Sequence, residues 1–159
     1  MDKNVKKWPL VSVVMPVYNG VRFIGEAIQS ILDQTYQNLE LIILDDGSID
    51  KSLSIAKSFC DTRIKIFVNQ SNQGLVRARN RLIKLSNGKY IAPLDCDDIA
   101  YPERLKKQVD FLENNPEFGL LGGGYEYIDE NGHSLNKKVI FNASPEEIRN
   151  EKLKALKSL

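Results

Sequence analysis

Apolar residues follow two alternating rhythms along the first two thirds of the chain. Val11-Ser12-Val13-Val14-Met15 is a short β-branched run that predicts a strand. Ile24, Ala27, Ile28, Ile31 and Leu32 then follow the i, i+3, i+4, i+7, i+8 spacing of an amphipathic helix. Leu39 to Leu44 is a near-continuous apolar run, a second strand, and it stops at Asp45-Asp46-Gly47-Ser48. Asp50 is placed to cap a helix that uses Leu53, Ala56, Phe59 and Cys60. Ile64 to Val68 is a third strand, and Leu75, Ala78, Leu82 and Leu85 mark a third helix stopped by Asn87-Gly88. Tyr90 to Leu94 is a fourth strand. Pro102 suits the first position of a helix whose apolar face is Leu105, Val109 and Leu112 and whose end is near Asn114-Asn115-Pro116.

Four strands separated by helices predict an α/β fold, a Rossmann-like, mainly parallel sheet with helices on both faces. Beyond Phe118 the rhythm changes. Gly122-Gly123-Gly124 precedes Tyr125 to Ile128, a turn follows over Asp129 to Gly132, and Lys138 to Phe141 predicts a strand. Ser144-Pro145-Glu146-Glu147 is a helix-start signature with Ser144 as N-cap. The sequence therefore divides into a polar leader (residues 1–9), an α/β core (10–118) and a different region (119–159).

Composition narrows the function classes. Lys and Arg number 22 and Asp and Glu 21, so the net charge is +1 and no global field marks a nucleic-acid binder. No apolar run reaches the length of a transmembrane helix, and the lysine-rich start does not resemble a signal peptide. Two cysteines, Cys60 and Cys96, make no disulfide framework. One histidine, His133, sits in a turn-like context and cannot by itself build a histidine metal site or a triad.

In an open parallel sheet, ligands bind outside the carboxyl ends of the strands. All four ends carry polar or backbone-permissive residues: Pro16-Val17-Tyr18-Asn19-Gly20, Asp45-Asp46-Gly47-Ser48, Asn69 to Gly74, and Asp95-Cys96-Asp97-Asp98. A nucleotide-like ligand explains the four together, although each alone is also an ordinary loop. In an extended backbone Asp95 and Asp97 would share one side, giving two hard oxygen ligands suited to Mg²⁺ or Mn²⁺; a solvated acidic turn is the alternative. Cys96 and Asp98 alternate away, the first toward packing and the second toward bracing the next turn. Asp46 can accept a hydrogen bond from a base or ribose, or cap the following turn or helix. Gly74 opens the third helix, whose N-terminus favours anions, and Arg77 or Arg79 faces either phosphate or solvent.

The ordered series of motifs resembles the N-terminal half of a family 2 glycosyltransferase with the GT-A fold. The motifs are Val11 to Asn19, Ile31-Leu32-Asp33-Gln34-Thr35-Tyr36, Leu39 to Ser48, Asn72-Gln73-Gly74 with Ala78-Arg79-Asn80, Gly88-Lys89-Tyr90-Ile91, and Leu94 to Asp98 with Pro102-Glu103-Arg104-Leu105. The resemblance implies an inverting, metal-dependent transfer of sugar from a nucleoside-diphosphate sugar, with UDP-sugar favoured, to a sugar or glycoconjugate acceptor. It implies a role in polysaccharide or glycoconjugate synthesis. The implied location is cytoplasmic, extending to the inner face of a membrane. The implied donor-site residues are Pro16, Val17, Tyr18, Asn19, Asp46, Gly74, Arg79 and Asp95, with Asp97 and Asp95 on the metal, Mg²⁺ or Mn²⁺.

The family's general base is not recognisable here, nor is its downstream Gln-x-x-Arg-Trp segment, since the one tryptophan is Trp8. Asp129, Glu130 and Glu126 are the acids left to consider as a base. Region 119–159 thus resembles the start of an acceptor side that is cut short. Two alternatives stand beside an enzyme: a nucleotide-binding module without catalysis, and a receiver-like phosphoacceptor domain that binds Mg²⁺. The latter wants an acidic pair after the first strand, where Pro16-Val17-Tyr18-Asn19 stands instead.

Overall fold

The computed structural model describes residues 8–140. The chain divides into two units, one up to Asn114 and one from Asn115.

The first unit is built on β1 (Val11–Val17), β2 (Leu39–Asp45), β3 (Ile64–Val68) and β4 (Tyr90–Pro93), all parallel, in the order β3-β2-β1-β4. Register pairs Val11 with Leu39 on one side and with Tyr90 on the other, so all four carboxyl ends emerge on one edge. β1 and β2 are buried along their whole length, which is why their sequences are apolar runs rather than alternations.

Helices cover both faces. Val11, Val13, Met15 and Val17 point with Leu41 and Ile43 toward α1 (Ile24–Leu32), α2 (Ser52–Ser58) and α4 (Arg104–Asn114), which contribute Ile28, Ile31, Ala56, Leu105 and Val109. The opposite face, Val14, Ile42 and Leu44, is covered by Ala78 and Leu82 of α3 (Leu75–Leu85). Several boundaries differ from the sequence expectation. The α2 N-cap is Lys51 rather than Asp50, yet Asp50 Oδ1 still accepts the Ser52 N–H at 2.9 Å, one position early. Cys60 lies beyond α2 and is exposed. Pro102 precedes α4 because its carbonyl accepts the Thr35 N–H at 2.8 Å.

Two buried polar groups tie the layers together. Gln34 is fully buried; its Nε2 donates to the Tyr101 carbonyl at 2.8 Å and its Oε1 accepts the Leu105 N–H at 3.0 Å. This fixes the end of α1 to the start of α4. Glu40 sits at the amino end of β2, and its carboxylate accepts from the Ser12 hydroxyl, the Lys65 ammonium and the Asn87 N–H at 2.6, 2.7 and 2.8 Å. Burial raises this carboxyl, but the bonds from Lys65, Ser12 and Asn87 outweigh it and hold the pKa at about 2.

In the second unit, β5 (Tyr125–Ile128) pairs antiparallel with β6 (Ser134–Val139). The strand expected from Lys138 to Phe141 starts earlier, at Ser134, because the Asp129 turn delivers the chain directly into pairing with Ile128. Asp129 accepts the N–H groups of Asn131 and His133, which holds its carboxyl below the usual range. The expected Ser144 helix start lies outside the described residues. Among the described residues no helix is long and apolar enough to cross a membrane.

Candidate functional site

Hydrogen bonds and one close packing contact join the loops at the carboxyl edge into a closed ring. The loop after β1 holds the loop after β2: Asn19 donates its N–H to Ser48 Oγ, its Oδ1 accepts the Ile49 N–H, and Val21 N–H donates to Asp50, all at 3.0–3.1 Å. Asn19 has a left-handed backbone, φ 54°, a conformation asparagine tolerates well. Its side chain therefore serves the loop.

The loop after β2 holds the loop after β3 through Asp46. This carboxylate is buried and accepts from Asn69 Nδ2, from the Gln73 N–H and from the Gly74 N–H at 2.9 Å. It thus ties down the two residues that lead into α3, without bonding an N–H of the helix itself. The open readings of Asp46 were a ligand contact and a cap on the turn or helix that follows it; the bonds found here go instead to the loop after β3.

Gly47, φ 76°, lets the same two loops touch, since a Cβ there would fall 2.7 Å from the Ser71 backbone. Gly47→Ala is expected to cost about 1–3 kcal/mol of stability, read as a lower urea midpoint with an unchanged slope.

The neighbouring carboxylate behaves differently. Asp45 is 2% exposed; Oδ2 accepts the Ser48 N–H at 3.3 Å, while Oδ1 is buried and has no partner among the described residues. A buried carboxylate oxygen without a donor is costly. The sequence reading missed this residue. Its signal was its place as the last residue of β2, next to the end of β1.

Arg79 on α3 reaches the loop after β4. Its Nη2 donates to both oxygens of Asp95, at 2.7 and 2.9 Å, and its Nε is buried without a partner among the described residues. β4 ends at Pro93, and the acidic segment is a turn, with the Asp98 N–H donating to the Asp95 carbonyl at 3.1 Å. The extended backbone expected for Asp95 and Asp97 is therefore replaced by a turn, because Arg104 and the α1–α4 ties anchor the chain just beyond. Arg104 donates to the Pro93 carbonyl at 2.9 Å.

Asp97 is exposed. Asp98 is also exposed as a residue, yet local burial, then Asp97 and Asp95, push its carboxyl up against the pull of Arg104. Cys96 closes the ring by packing on the loop after β1. A Cβ on Gly20 would lie 2.8 Å from its Sγ, and burial, followed by Asp97, raises the thiol while a backbone bond from Tyr18 works the other way.

The remaining residues singled out from the sequence are Pro16, Val17 and Tyr18. Pro16 is buried in β1. Val17 faces the core, and what it offers the edge is its carbonyl, which accepts the Asp46 N–H at 2.7 Å. Tyr18 is 47% exposed at the rim. Among the described residues no three carboxylate, cysteine or histidine side chains gather as a ligand cage. The donor set at the acidic turn is two carboxylates. That fits a hard cation that keeps several waters and shares itself with a phosphate ligand.

A family model described as glycosyl transferase family 2 matches residues 12–158. The chain belongs to glycosyl transferase family 2. An uncharacterized glycosyltransferase of Haemophilus influenzae is 40% identical over 129 residues, covering 80% of this chain and 51% of that protein. Bacillus subtilis EpsE, named as a glycosyltransferase, is 43% identical over 127 residues, covering 78% and 46%. The chain spans about half the length of these curated relatives.

Among solved structures, Staphylococcus aureus TarS, solved as a complex with UDP-GlcNAc, matches with TM-score 0.64 and 27% identity over 67% of this chain and 32% of that one. The Pyrobaculum calidifontis mannosyltransferase PcManGT, solved with GDP-Man and Mn²⁺, shares the fold at TM-score 0.63 and 22% identity, over 77% of this chain and 36% of that one. The α/β architecture expected from the sequence is thus the GT-A glycosyltransferase fold.

Proposed function

We propose that this chain is the donor-binding part of an inverting glycosyltransferase that takes a nucleoside-diphosphate sugar, a UDP-sugar by preference, and serves polysaccharide or glycoconjugate synthesis. The observation that carries the reading is the unpartnered, buried Asp45 oxygen on the ring of loops, in a chain that belongs to family 2. An N–H of the nucleobase satisfies that oxygen, and Tyr18 at the rim supplies a flat surface for the base. The likeness to TarS, solved with UDP-GlcNAc and with UDP, supports uracil as that base.

Asp46, Asn19 and Gly74 act one step back, by holding the loops that shape the pocket. Asp95 and Asp97 would hold Mg²⁺ or Mn²⁺, and Arg79 lies beside them for the diphosphate. A cation held there supplies charge neutralisation for the diphosphate as it departs. The acceptor, a sugar or glycoconjugate hydroxyl, attacks the anomeric carbon from the face opposite the departing group, which inverts its configuration. The place of work that suits such a substrate is the cytoplasm or the inner membrane face.

Calorimetric titration with nucleoside diphosphates, with and without Mn²⁺, tests this reading. UDP is expected to bind more tightly with Mn²⁺. Asp45→Ala is expected to lose about tenfold in affinity even in chelator, the worth of one hydrogen bond to a charged group. Asp97→Ala is expected to remove the Mn²⁺ enhancement and leave the metal-free affinity in place. Failure of every nucleotide to bind, or indifference to Mn²⁺, contradicts the proposal.

A further inference from the structure

We infer that Arg79 is an internal stand-in for the divalent cation: its pairing with Asp95 competes with the metal for that carboxylate, so that metal and diphosphate enter together. The inference rests on the donor-site reading above and concerns the order in which that site fills. The Arg79 Nη2 spans both Asp95 oxygens at 2.7 and 2.9 Å, so each oxygen of this carboxylate already serves a positive donor that a metal would have to compete with. Asp97 keeps its carboxylate exposed. A cation arriving alone therefore meets the exposed Asp97, an Asp95 that is already paired, and a guanidinium charge that repels it.

The pair is also easy to open. Both side chains are more than two-fifths exposed, 43% for Arg79 and 44% for Asp95, and ion pairs at that exposure contribute little net stability. A diphosphate changes the exchange. Guanidinium matches phosphate oxygens as well as it matches a carboxylate, so Arg79 can pass from Asp95 to the ligand. Asp95 is then released at the moment the cation gains phosphate oxygens as further ligands. The Arg79 Nε, buried and without a partner among the described residues, adds a donor that the Asp95 pairing leaves unused. Arg79 is thus a positioning residue that makes cation binding conditional on the nucleotide.

The test uses Mn²⁺ alone, counted as free ion by electron paramagnetic resonance, on the chain and on its Arg79→Met and Arg79→Lys variants, each first checked for native circular dichroism. Met keeps the apolar stem and removes the charge; Lys keeps a charge without the fork. Without nucleotide, Arg79→Met is expected to bind Mn²⁺ about fivefold more tightly than the parent, the worth of an exposed pair, with Arg79→Lys close to the parent. Adding UDP should raise the parent's Mn²⁺ affinity strongly and that of Arg79→Met much less. Mn²⁺ binding by Arg79→Met that is equal to or weaker than the parent's overturns the inference, as does an equal UDP enhancement in both. Failure of the donor reading is seen separately, as absent UDP binding by the parent in calorimetry, while the comparison with Mn²⁺ alone stands without any nucleotide.

Discussion

Sugar transfer by the 159-residue chain to a hydroxyl acceptor is expected to run about 10²–10⁴-fold slower than transfer by a relative carrying the family's full length, the usual worth of general-base assistance. EpsE, of which this chain spans 46%, is a longer chain with which to make the comparison. Of the acids on the carboxyl edge, Asp46 accepts the Gln73 and Gly74 N–H groups, Asp95 pairs with Arg79, and Asp45 and Asp97 serve the donor side in the reading above. Of the downstream acids, Asp129 closes its own turn, and Glu126 accepts from the Ser134 hydroxyl and faces Lys138 at 3.5 Å. A carboxylate already accepting several donors is a poor base. Mass spectrometry of products with a panel of acceptors checks this, and slow hydrolysis of the donor is the expected residue of activity. Rapid transfer by the short chain would contradict it and return attention to Glu126, Asp129 and Glu130.

The second large effect concerns stability. Glu40→Ala is expected to destabilise the fold by about 3–5 kcal/mol, the cost of breaking a buried charged network by removing one partner. The Ser12 hydroxyl and the Asn87 N–H lose their acceptor, whereas Lys65, half exposed, returns to water. Glu40→Gln keeps a carbonyl for Asn87 and should cost less.

The pH dependence has a definite sign. The Glu40 carboxyl is lowered from 4.5 to about 2 in the fold, so its contribution is whole above the unfolded value and disappears as pH falls toward the folded one. A depression of that size corresponds to about 3 kcal/mol. Urea titrations between pH 7 and pH 2 should therefore show the parent losing more stability than Glu40→Ala across the acid range. Parallel curves for the two would refute the assignment.

The strands were legible because β1 and β2 are buried on both faces and so spelled as unbroken apolar runs. Helix faces were legible for the same reason, Ile24, Ala27, Ile28 and Ile31 being the clearest case. What was hidden is whatever depends on a partner far along the chain. Asp45 and Asp46 are neighbours with one chemistry, and only the approach of Asn69, Gln73 and Gly74 decides which of them is satisfied. The acidic turn was read as extended because Gln34 and Arg104, which bend the chain there, act across the layers. Asn19 lies in a motif that invited a ligand role; what the sequence did not show is that its left-handed backbone and its bond to Ile49 also tie two loops together.

One consequence of the Asp46 and Glu40 contacts is a constraint on length. Both residues belong to the β2 segment, and they hold opposite ends of α3: Asp46 at Gln73 and Gly74, Glu40 at Asn87. From Glu40 to Asp46 an extended chain rises about 20 Å, and from Gly74 to Asn87 a helix rises about 20 Å. The helix is cut to the strand. Adding or removing a single residue within α3 would turn everything beyond it by about 100° and pull one anchor out of reach, taking Arg79 out of line with Asp95 when the change falls before it. Insertions and deletions among homologous chains should therefore collect in the loops on either side and leave Leu75 to Leu85 at constant length.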